Sequence, residues 1–124
     1  MLARLPAALR GGLTGLTLGL NTVIVFSCMI PPALLKLLFK SGPVRSAIDQ
    51  ALSALASHWV GINNAWIAAV RPDAHWDVSG IDGLHPRGWY LVSSNHQSWV
   101  DILVLQRVFH GHIPFLKFFL KAEL

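Results

Sequence analysis

A histidine and an aspartate stand at positions 96 and 101 of the segment Ser94-Asn95-His96-Gln97-Ser98-Trp99-Val100-Asp101. A neutral imidazole can take a proton from a hydroxyl, and a carboxylate bonded to its other ring nitrogen fixes the tautomer and stabilises the imidazolium that forms. On one continuous helix, residues five apart point about 140° away from each other. The two side chains meet only if His96 lies in a loop and Asp101 in the first turn of the helix after it. The punctuation of the chain supports that layout. Trp89-Tyr90-Leu91-Val92 reads as a buried strand, Ser93-Ser94-Asn95 interrupts the apolar pattern, and Ser98 to Phe109 reads as a helix with Ser98 as N-cap.

The same residues carry a structural reading. Ser98 and Asp101 fit the S-x-x-D form of a capping box, in which an acid supports the helix start. Weighing toward chemistry, Val100, Ile102, Leu103, Val104, Leu105 and Val108 make the helix apolar on nearly every side, and a buried carboxylate needs a partner. No nucleophile motif accompanies the pair. There is no G-x-S-x-G, and the one cysteine, Cys28, lies in a distant apolar segment. The chemistry indicated is direct attack by an activated substrate hydroxyl, without a covalent enzyme intermediate.

Several elements must position such a pair. Leu13 to Ile30 carries no charge and is close to the length of about 17–20 residues that a spanning helix needs. Pro31-Pro32 is expected to break or kink it. Two topologies follow: a single span, or a re-entrant hairpin with both ends cytoplasmic. Arg4 and Arg10 precede the run, and Lys36, Lys40 and Arg45 follow it, so the distribution of positive charge leans only weakly, toward the hairpin. A cleaved signal peptide is disfavoured by the lack of a clean small-residue cleavage site. Ser41-Gly42-Pro43 then starts a helix in which Ile48, Leu52, Leu55, Trp59, Ile62 and Trp66 recur at spacings of four and three, one apolar stripe. Arg71-Pro72 ends it. Short strands are expected near Trp76–Ile81, Trp89–Ser93 and Ile113–Leu120, with the last two and the helix between them forming a β-α-β unit. His96 would then follow the carboxyl end of a strand, where ligands bind in such sheets.

Composition agrees with a membrane-associated chain. Of 124 residues, 53% are hydrophobic and only 13% charged, against about 25% charged in an average soluble domain; mean hydropathy is +0.51. Net charge is +4, but Lys and Arg are scattered, so no basic stripe suits nucleic acid. A basic chain suits an anionic lipid surface and phosphate-bearing substrates. A single cysteine excludes an internal disulfide and fits a reducing compartment. His110-Gly111-His112 reads as a turn after the helix, because a zinc site needs three or four ligands and no further cluster is present.

The segment from Ser94 to Asp101 resembles the first signature block of the glycerolipid acyltransferases: a His, four residues, then Asp. It most resembles the bacterial inner-membrane branch related to 1-acyl-glycerol-3-phosphate acyltransferase. Trp76 to Leu84 is similar to the short strand before that family's catalytic strand, and Lys117-Phe118-Phe119-Leu120-Lys121-Ala122-Glu123-Leu124 to the strand and Lys-x-Glu-Leu stretch that follow its helix. The resemblance implies an α/β fold behind a membrane segment, with His96 and Asp101 catalytic and no cofactor or metal. Acyl-CoA or acyl-carrier protein would be the donor, and a lysophospholipid the acceptor. It also implies a place at the bacterial inner membrane with the catalytic part cytoplasmic. Residues 1–42 would be membrane-embedded, 43–72 an amphipathic helix and 73–124 the first part of the acyltransferase domain. No Glu-Gly-Thr of the family's phosphate-binding block occurs. These residues are therefore expected to be the front of a longer enzyme and inactive alone.

Overall fold

The structure is a computed structural model that describes residues 5–95, 97–98 and 100–119. It divides into two compact units, Met1–Trp76 and Asp77–Leu124.

The first unit is an antiparallel pair of helices. The uncharged run lies within α1, Ala7–Leu35, a helix of 29 residues. It is about 43 Å long at 1.5 Å per residue, more than the ~30 Å of a bilayer's hydrocarbon core. It is long and apolar enough to cross a membrane. Pro31 and Pro32 lie inside it and do not end it. A proline removes only the bond that its own nitrogen would donate. Here those are bonds to Ser27 and Cys28, one turn from the end, and the Lys36 N–H still reaches the Pro32 carbonyl at 3.0 Å. The chain reverses after Leu35 instead. Arg45 Nη1 donates to the carbonyls of Phe39 (2.9 Å) and Lys36 (3.3 Å), covering acceptors that the end of a helix leaves unused. Lys36 also pairs with Asp49. Gly42 stands at φ 96°, ψ −178°, a conformation open essentially to glycine alone. Pro43 then opens α2, Pro43–Val70.

The two helices meet along a seam with polar bonds in it. Thr14 on α1 faces Trp66 on α2, Thr22 faces Trp59, and Lys36 faces Asp49. Numbers rise along one helix as they fall along the other, as an antiparallel pair requires. The buried residues of α2 are Ile48, Ala56, Val60, Asn63 and Val70. The inward stripe is therefore rotated slightly from the one that large apolar residues mark. Ile62 is exposed, and Leu52, Leu55, Trp59 and Trp66 are half-buried. On α1 only Asn21 and Val25 are buried, while Leu16, Leu20, Val23, Ile24, Phe26, Ile30 and Leu34 are each more than half exposed.

The second unit overturns the α/β expectation. Among the described residues there are three helices and no strand; the single bridge joins His110 and Ile113. Over residues 76–81, 89–93 and 114–119, where strands were expected, the backbone is irregular. Between the first two of these stretches the chain makes turns, with the Leu84 N–H bonded to the Ile81 carbonyl (3.1 Å) and the Gly88 N–H to that of His85 (2.9 Å). The His85 N–H donates to the Tyr90 phenol oxygen at 2.8 Å, not to a neighbouring strand. Trp89 is 99% and Leu91 87% exposed. An apolar run states what its side chains prefer, but a strand exists only where a second stretch of backbone pairs with it. The expected helix does form, as α3, Val100–Phe109.

Candidate functional site

Asp101 stands in the first turn of α3. Its carboxylate folds back over the start of the helix. Oδ2 accepts the backbone N–H groups of Gln97 (2.6 Å) and Ser98 (2.7 Å), and the Ser98 hydroxyl donates to Oδ1 at 3.4 Å. The Asp101 N–H in turn reaches the Ser98 carbonyl at 3.1 Å. This is the acid half of a capping box, extended by one residue toward the N-terminus. It works because the first N–H groups of a helix lack partners inside it, and a negative charge there also meets the positive end of the helix dipole. The carboxylate thus ties α3 to the loop before it. His96, the other member of the pair, lies outside the described residues.

The remaining chemistry-bearing residues fall elsewhere. His110, Gly111 and His112 form a turn after α3, with Gly111 at φ 81° and the His112 N–H bonded to the Phe109 carbonyl at 3.0 Å. Cys28 is exposed on α1. No group of His, Cys, Asp and Glu suited to a metal ion occurs among the described residues.

The polar seam of the helix pair escaped the sequence reading. Asn21 Nδ2 donates to Asn63 Oδ1 (2.7 Å) and to the Trp59 carbonyl (3.1 Å). The Trp59 and Trp66 indole N–H groups donate to the hydroxyls of Thr22 (3.0 Å) and Thr14 (3.3 Å). Each threonine hydroxyl donates to the carbonyl four residues before it, at 2.8 Å. Phe26 meets Trp59 edge-on, centroids 6.1 Å apart. The signal was an asparagine in the middle of an uncharged run, at a level across the turn from a second asparagine. Asn21 and Asn63 are buried beside Val25, Ala56 and Val60 while large apolar side chains of α1 stand exposed, and hydrogen-bonded polar side chains between apolar-faced helices suit association in lipid.

No protein-family model, curated protein or solved structure matches this chain.

Proposed function

We propose that this chain belongs to a membrane acyltransferase of the glycerolipid type. In this reading His96 takes the proton from the free hydroxyl of a lysophospholipid such as 1-acyl-glycerol-3-phosphate. The hydroxyl oxygen attacks the thioester carbonyl of acyl-CoA or acyl-carrier protein, the carbon–sulfur bond breaks, and the imidazolium returns its proton to the departing thiolate. Asp101 orients the imidazole and balances its charge. One observation carries the reading: Asp101 occupies the first turn of a helix and its carboxylate holds the backbone N–H groups of Gln97 and Ser98. A base and its orienter at this spacing need that layout. The apolar face of α1 supports a site at a bilayer, and the resemblance narrows the bilayer to a bacterial inner membrane with the site on its cytoplasmic side.

The same bonds favour a second reading. A carboxylate that caps a helix explains Asp101 without catalysis, and the chain would then be a membrane-associated module. Acyl transfer from a labelled acyl thioester to 1-acyl-glycerol-3-phosphate by the complete gene product separates the two. His96→Ala should lower turnover by about 10²–10⁴-fold while leaving helicity intact. A folded His96→Ala protein with normal turnover would defeat the acyltransferase reading.

A further inference from the structure

The open end of the helix pair holds a cleft of about 290 Å³, walled by Gly11 and Thr14 of α1 and by Ile67 and Val70 of α2, with Arg10 and Arg71 on its lining. The two arginines end the uncharged stretches of both helices at one level. No Asp, Glu, Lys or Arg occurs from Gly11 to Leu35 or from residue 50 to residue 70. If α1 crosses a bilayer, that level is where hydrocarbon gives way to phosphate. Guanidinium groups bind phosphate through a planar fork of N–H donors, and the apolar walls suit the ester and upper acyl region beneath a headgroup. Asp73 meets Arg71 Nε at 3.4 Å, in an exposed pair of a kind worth little.

We infer that this cleft is a binding site for the phosphate of an anionic glycerophospholipid, held by Arg10 and Arg71 at the membrane surface. The inference rests on the membrane reading of α1 and not on acyl transfer. All the lining residues belong to the first unit, and the occupant would anchor the open end of the helix pair.

The test reconstitutes the full chain into phosphatidylcholine nanodiscs with and without phosphatidylglycerol. The lipids that stay bound after release from the disc are counted by native mass spectrometry. Wild type should retain phosphatidylglycerol in preference to phosphatidylcholine. Arg10→Gln and Arg71→Gln should each reduce that preference by about fivefold. Gly11→Leu should reduce it as well, with the charge unchanged. A Cβ at Gly11 meets nothing within 4 Å, so the helix accepts the substitution and the side chain fills the cleft. Lys40→Gln, at the opposite end of the pair, should leave the preference intact. Equal loss in Lys40→Gln, an unchanged preference in Gly11→Leu, or displacement of the lipid by inorganic phosphate would overturn the site. A chain that enters neither kind of disc would overturn the membrane reading beneath it.

Discussion

Asp101 caps the start of α3, and a substitution can separate that role from the one proposed for it in acyl transfer. Asparagine keeps an acceptor oxygen for the N–H groups of Gln97 and Ser98 but loses the charge. Asp101→Asn should therefore leave α3 nearly as stable as before, while under the proposed acyltransferase reading turnover falls by orders of magnitude. Asp101→Ala removes the cap too and should cost about 1 kcal/mol in chemical denaturation. If Asn and Ala variants lose stability equally and the Asn variant keeps full turnover, Asp101 is a cap and nothing more. Asn63 offers a second test. Removing it strips the Asn21 amide of its 2.7 Å acceptor. Within a membrane such bonds average about 0.6 kcal/mol and reach ~1.7, so Asn63→Ala should loosen the pair by about that amount. A double-mutant cycle with Asn21→Ala, read by unfolding in bicelles, should show coupling between the two positions. The role of Asp101 at a helix start was legible because a capping acid and a charge-relay acid share one sequence position. The Asn21–Asn63 bond was not, because its partners are 42 residues apart, and no local period relates them.

At the scale of elements, legibility followed how local the causes were. The uncharged run and the three-and-four spacing of apolar residues depend on neighbours within a few turns, and α1 and α2 form where those patterns lie. α3 likewise follows an S-x-x-D start and an apolar run. The strands failed because pairing is non-local: Trp89 and Leu91 are apolar enough for a strand, yet the backbone beside them makes turns and they stand open. The two prolines misled for a related reason. Their effect depends on distance from the helix end, which the turn at Gly42 and the bonds from Arg45 set. The outward face of α1 yields its own prediction. Val23 is 65% exposed near the middle of the helix. In water Val23→Lys would be nearly harmless. In a bilayer a lysine at mid-helix costs about 2.5–3.5 kcal/mol, so the variant should shift from the membrane pellet toward the soluble fraction in flotation assays. Unchanged flotation would argue that α1 lies outside the hydrocarbon.

For the whole molecule, the first unit's bonds between its two helices all depend on a single reversal of the chain. Those bonds lie at increasing distance from that reversal. Lys36–Asp49 and the Arg45 contacts stand beside it, Thr22–Trp59 spans 37 residues, and Thr14–Trp66 spans 52. Closing a loop becomes only slowly harder as it lengthens, and each bond made near the turn shortens the loop left for the next. We predict from this a sequence in time in which closure begins at Gly42 and runs toward the open end. Gly42→Val, which places a β-branched side chain at φ 96°, should chiefly slow folding in rapid-mixing experiments. Trp66→Phe, which deletes the last bond to form, should chiefly hasten unfolding. The one residue at this reversal without a side chain would thus be the pacemaker of assembly, and the open end, where Arg10 and Arg71 stand, the first part to come apart under load.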